Sequence, residues 1–165
     1  MRRALLPCLL LLVACGPDDP YTEGSGLHAS DYLPPAESWL QYGQPAAPTE
    51  APYLMIEVGT ESWELRQGES WNDATSEWTV PFDDSEGLLL DGARVLPAEL
   101  SEGEEQDGVQ VISIGDEAVY YGTFSLAARC DVPSGAYAGE WIFAPNIGPI
   151  QLVVDGVTWE MVTYM

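Results

Sequence analysis

From Tyr53 to the C-terminus, apolar and polar positions alternate in short runs separated by Gly, Pro, Asn and Asp. This is the pattern of half-buried strands joined by turns. Tyr53-Leu54-Met55-Ile56-Glu57-Val58 reads as a strand closed by Gly59, and Glu61 to Arg66 alternates before a turn at Gln67-Gly68. Trp71 and Trp78 fall on two short segments separated by Asn72-Asp73-Ala74-Thr75, and Pro81 ends that group. Leu88-Leu89-Leu90 and Arg94-Val95-Leu96 flank Asp91-Gly92 as strand, turn and strand, and Ser101 to Gly108 follows as a solvated loop. Val109 to Ile114 and Ala118 to Ala127 form strands around Gly115-Asp116, where a tight hairpin turn is expected. Ile150 to Val154 pairs with Val157 to Tyr164 across Asp155-Gly156, a dipeptide that supplies the positive φ values of a type I′ turn. The expected fold class is all-β: a curved antiparallel sheet, arranged as a half-barrel, a barrel or a sandwich, after a disordered N-terminal tether.

The tripeptide Glu-Ser-Trp recurs at positions 37, 61 and 69, with Ser76-Glu77-Trp78 close to it. Its irregular spacing marks local strand chemistry, with Trp inward and Ser and Glu outward, and not a structural repeat. A row of Trp on a sheet can stack sugars, although core packing is the more common use of such residues.

Ahead of Tyr53 the alternation stops. Gly16 to Pro52 carries seven prolines with Gly, Ser, Thr and acids between them, and sustains neither a period of 2 nor one of 3.6. The segment reads as a tether. Aromatics at Tyr32-Leu33 and Trp39-Leu40-Gln41-Tyr42 are dense enough to pin part of it onto the domain, or to serve as a recognition segment. Further upstream, Arg2 and Arg3 precede an apolar run from Ala4 to Ala14, broken by Pro7 and ending in Leu12-Val13-Ala14-Cys15. Gly16-Pro17-Asp18-Asp19-Pro20 follows at once. The run is shorter than the roughly 20 residues needed to span a bilayer.

This order of charge, apolar run, small residues and cysteine resembles the lipobox of bacterial lipoproteins. The resemblance implies that residues 1–14 are a signal peptide and that Cys15 becomes the first mature residue, carrying a diacylglyceryl thioether. Residues 15–52 are then the lipidated, Pro-rich acidic tether, and residues 53–165 the all-β domain. Two or three acyl chains on one cysteine hold a protein stably to a membrane that it does not cross. The implied location is the cell envelope, and Gly16 in place of an inner-membrane retention Asp favours the outer membrane. The alternative is an ordinary cleaved signal peptide. A second resemblance is carried by Tyr121-Gly122-Thr123-Phe124 and Phe143-Ala144-Pro145-Asn146-Ile147-Gly148. Over residues 120–160 the chain is similar to exported bacterial β-proteins of unknown function, whose curved antiparallel sheet carries an aromatic-Ala-Pro-Gly-Val-Gly segment. Here Asn146 and Ile147 replace Gly and Val, and Asn tolerates the left-handed conformation that the turn requires.

The chain holds 27 acids against 5 Arg and has no lysine, a formal charge of −22. Removal of residues 1–14 takes Arg2 and Arg3 and no acid, so 27 acids face 3 Arg, or −24. Such a surface repels nucleic acid and anionic headgroups, which excludes nucleic acid as a partner. Its ordinary use is solubility. Divalent-cation binding and recognition of a basic partner are the alternatives.

Little of this composition is suited to catalysis. Cys130 is the only cysteine left for the folded part, and the only histidine, His28, falls in the tether. A cysteine nucleophile or a Ser-His-Asp triad therefore lacks its base. There is no zinc set, no phosphate-binding glycine loop and no lysine for a Schiff base. No cofactor is expected. If a metal binds, it is calcium, and its candidate ligands are Asp83, Asp84, Glu86, Glu102, Glu104 and Asp107, which do not follow EF-hand spacing.

Three functional readings follow. The first is a non-catalytic, lipid-anchored envelope protein presenting an acidic β-domain to a protein or polymer partner, with a closed core and an exposed apolar or aromatic patch. The second is a carrier or sensor enclosing an apolar small molecule or lipid in a cavity lined by Trp63, Trp71, Trp141 or Trp159. The third is an enzyme using two converging carboxylates. The same four Trp are the candidate contacts for a ligand or partner.

Overall fold

A computed structural model describes residues 27–165. Cys15, the lipobox and the expected signal segment lie outside the described residues. The strands in chain order are β1 (Leu27–His28), β2 (Trp39–Gly43), β3 (Tyr53–Val58), β4 (Ser62–Gly68), β5 (Ala74–Asp83), β6 (Leu88–Leu90) and β7 (Ala93–Leu96). They continue as β8 (Glu99–Leu100), β9 (Glu105–Gln106), β10 (Val109–Val119), β11 (Gly122–Val132), β12 (Gly139–Ala144), β13 (Gly148–Val154) and β14 (Val157–Tyr164). A single 3₁₀ turn covers Ala29–Tyr32. The fold is all-β.

Twelve strands make one sheet in the order β7-β6-β5-β4-β3-β2-β14-β13-β12-β11-β10-β9, while β1 pairs with β8 apart from it. Every neighbouring pair is antiparallel. Alternation decides which face is buried. Leu54, Ile56 and Val58 of β3 point inward, level with Trp63 and Leu65 of β4 on one side and with Leu40 and Tyr42 of β2 on the other. Ala128 and Cys130 of β11 lie level with Phe143 and Trp141 of β12 and extend the same core.

The sheet curls until its ends meet, with β7 lying against β10 and β11. No strand ladder joins those ends. Arg94 of β7, its side chain 6% exposed, donates from Nε to Asp107 Oδ2 across the seam at 2.9 Å and from Nη1 to the carbonyl of Glu86. Ala98 N–H donates to Gln106 Oε1 at 2.8 Å, and Ala29 N–H to the carbonyl of Ala98 at 2.9 Å, so the β1–β8 ribbon covers the gap. Eight-stranded barrels are just filled by side chains, and much larger ones leave a lumen. Here the gap among Ile56, Trp63, Leu90, Trp141 and their neighbours is about 10 Å³, room for one water at most. At its centre the twelve-stranded sheet therefore wraps packed side chains.

Two of the expected turns form as read. Asp91 and Gly92 take φ of 49° and 74°, and Asp155 and Gly156 take 50° and 75°, the left-handed pair of a type I′ turn. Asn146, at φ 59°, likewise takes the left-handed conformation in the turn between β12 and β13.

Three expectations are corrected. The folded part does not begin at Tyr53: Trp39–Gly43 is an inner strand between β3 and β14, and Tyr32 is fully buried. Its alternation spans only four residues between prolines, too short to register as a pattern, yet Leu40 and Tyr42 complete the core. Pro81 does not end its group, because β5 runs on to Asp83. Nor is Gly115-Asp116 the tip of a hairpin. β10 and β11 continue to a turn at Tyr120-Tyr121, and Gly115, paired with Ala127, borders a register shift that contains Leu126, whose φ is 56°. A bulge bends a long hairpin with the same residue types that would have turned a short one. The Tyr32 hydroxyl holds the bend by donating to the carbonyl of Leu126 at 2.6 Å.

Candidate functional site

Trp63, Trp141 and Trp159 are 1%, 1% and 2% exposed. Trp141 Nε1 donates to the carbonyl of Tyr137 at 2.8 Å, and its ring stacks on Phe143 at 5.7 Å. These three expected ligand contacts belong to the core cluster, and the gap between Trp63 and Trp141 is only about 10 Å³. Trp71, the fourth, lies on the outer face of the sheet, where it meets Trp39.

That meeting is built by the loop between β4 and β5. Gly68 permits the chain to return, because a Cβ there would stand 2.5 Å from the carbonyl oxygen of Asp73. Ser70 Oγ donates to Asp73 Oδ2 at 2.9 Å and closes the loop. Arg66, on the outward side of β4, clamps it: its guanidinium lies 3.9 Å from the centre of the Trp71 ring and Nη1 donates to the Trp71 carbonyl at 3.3 Å. Nη2 donates to Glu77 at 3.0 Å and lies 3.6 Å from Glu64. Trp71 is thus laid against Trp39, ring centres 4.2 Å apart and planes inclined at 59°. Beneath them Met55 is 5% exposed on the outward face of β3. The result is an open groove of about 250 Å³, with Gln41, Thr163, Glu69 and Met165 on its walls. Trp39 belongs to the segment expected either to pin the tether or to serve recognition, and is not among the four Trp expected as contacts. The available signal was the repeated Glu-Ser-Trp, but the inward assignment of its Trp holds only at Trp63, and at Trp78 of the neighbouring Ser-Glu-Trp, which packs against the core level with Leu65.

A second exposed aromatic group sits at the hairpin tip. Tyr120 and Tyr121 are 53% and 44% exposed, Tyr121 stacks on Phe124 at 6.2 Å, and its ring meets that of Tyr164 edge-on at 5.9 Å. Tyr120 N–H donates to Glu160 Oε2 at 3.4 Å, which ties the tip to β14.

Another groove, about 430 Å³, runs between Leu33-Pro34, Phe82 and Leu88, with one edge of Trp63 on its wall. One carboxylate, Asp84, lines it. His28 lies in the folded part, on β1, with Nδ1 3.0 Å from Glu99. This is half of a base-and-orienter arrangement, but Ser85 Oγ is engaged in donating to Asp83 at 2.7 Å. Cys130 is fully buried on β11, and desolvation pushes its thiol up to about 12, the reverse of an activated nucleophile.

The acidic residues proposed for calcium are dispersed. The Ser85 hydroxyl and N–H bind the Asp83 carboxylate and hold it below the usual carboxylate range. Asp107 is paired with Arg94, and Glu102 accepts from Ile114 N–H at 3.1 Å. Among the described residues no three His, Cys, Asp or Glu converge to hold a metal.

Comparison with known proteins gives no match. No family model, no curated protein and no solved structure is similar to the chain. What the surface can do is therefore argued from its own chemistry. Each of the three arginines of the described residues is already paired with carboxylates: Arg66 with Glu64 and Glu77, Arg94 with Asp107, and Arg129 with Glu117 and Glu140. Among the described residues no arginine is left over to bind an anionic ligand.

Proposed function

We propose that this is a non-catalytic, lipid-anchored protein of the cell envelope that presents its acidic β-domain to a partner. One observation carries the reading: the gap at the centre of the core, among Ile56, Trp63, Leu90 and Trp141, is only about 10 Å³, while two aromatic groups remain on the outside. A carrier of apolar molecules needs an enclosed cavity of roughly 300–1,000 Å³, whereas the space of that size here, about 430 Å³ beside Trp63, Phe82 and Leu88, is a groove open to solvent. The acyl group on Cys15 holds the chain at the membrane, the outer one on the Gly16 argument, and the β-domain stands in the aqueous phase. With no unpaired cation among the described residues and 24 acids, the domain is repelled by anionic headgroups and keeps its outer face free for a partner.

The anchor is tested by fractionating producing cells. Wild-type chain is expected with the membranes and the Cys15→Ala variant in the soluble fraction. Continued membrane association of the variant overturns the lipid anchor.

A further inference from the structure

Resting on that presenting role, we infer that the groove between Trp39 and Trp71 binds a glycan of uncharged sugar rings, which makes a neutral polysaccharide the partner of this face. The two rings stand 4.2 Å apart at 59°, so they form a corner and do not cover each other. Each stays half-buried on the outer face of the sheet, outside the core cluster. Arg66 fixes Trp71 by stacking and by its bond to the Trp71 carbonyl. Trp71 is thus positioned before a ligand arrives, which lowers the ordering cost of binding. An indole face offers apolar area with a negative quadrupole, the complement of the C–H face of a pyranose.

The polar atoms around this corner match sugar hydroxyls. Gln41 of β2 and Thr163 of β14 are paired directly across the sheet, and Glu69 faces them from the loop. Among the described residues, neither the Gln41 amide, the Thr163 hydroxyl nor the Glu69 carboxylate has a hydrogen-bonding side-chain partner. They present a donor and acceptor pair, a hydroxyl and an acceptor to the same small volume.

Charge narrows the ligand further. The single cation at the site is already matched by Glu64 and Glu77, and Glu57 and Glu69 lie on the same face or rim. A phosphate, sulfate or uronate is repelled. A polycation is attracted by the whole acidic surface and gains nothing special from an amide and a hydroxyl. An uncharged glycan suits both the rings and the charge. At about 250 Å³ and open to solvent, the groove takes one sugar ring side-on, as a unit within a longer polymer.

The test uses the full lipidated chain in detergent with hexaoses of β-glucose, α-glucose and N-acetylglucosamine as probes, titrated by calorimetry and by tryptophan fluorescence. Binding of at least one hexaose is expected, unchanged between low and high salt. Trp39→Ala and Trp71→Ala are expected to weaken it about tenfold or more each. Thr163→Val, which keeps the side-chain shape, is expected to weaken it several-fold, and Tyr121→Ala to leave it unchanged. Circular dichroism confirms that each variant is folded. If none of the three hexaoses binds, or if Trp71→Ala and Thr163→Val bind as well as the wild type, the inference is overturned and the presenting role still stands. Recovery of shortened hexaose after incubation would instead overturn the non-catalytic reading.

Discussion

Single residues separate burial from reactivity in this chain. Cys130, the one cysteine expected in the folded part, sits between Arg129 and Asp131 on β11 and is fully buried level with Trp141. Burial raises its thiol pKa from 9.0 to about 12, and Tyr42 is raised by the same cause. In the unfolded chain the thiol ionises near pH 9, while in the folded chain it stays protonated. Its contribution to stability is fully present below pH 9 and is lost as the pH climbs towards 12. Cys130→Ala is expected to cost about 1–2 kcal/mol at pH 7 through the cavity it leaves and to lose stability less steeply than the wild type between pH 9 and 12. Urea unfolding followed by fluorescence across that range measures both. Trp39 and Trp71 show where residue-level reading failed. Both follow Glu-Ser, as Trp63 does, yet they point outward, because strand parity sets Trp39 and a returning loop sets Trp71. Neither is encoded in the tripeptide.

Elements were legible where a turn is local. Asp91-Gly92 and Asp155-Gly156 need only positive φ in two neighbours, and both hairpins form as expected. Elements that depend on distant partners were not. β2 is five residues long and owes its place to β3 and β14, and the bend in β10–β11 is held by Tyr32, 94 residues from Leu126. The seam is the other long-range feature. Arg94 is 6% exposed and its partner Asp107 is 70% exposed. Asp107→Ala strips the carboxylate from a buried guanidinium, and we expect it to cost about 1–3 kcal/mol, where an exposed Asp elsewhere would fall within about 0.5 kcal/mol. Paired denaturant midpoints for Asp107→Ala and Asp131→Ala make the comparison. Equal midpoints would mean that the ion pair does not hold the sheet ends together.

At the scale of the molecule, all-β architecture followed from the alternation of apolar and polar positions, while closure did not. Whether a sheet curls round a lumen or a solid core depends on side-chain volumes summed over all its strands, and here Trp63, Trp141, Phe143 and Tyr42 fill the centre. That filling moves function to the outer face. Native mass spectrometry of the full chain, extracted from producing-cell membranes in mild detergent, tests this most directly. A mass equal to the polypeptide from Cys15 plus its acyl groups, with no further small molecule, is the predicted result. A stoichiometric apolar ligand that stays bound through extraction would contradict the account, because it would require an interior site that the packed core does not leave.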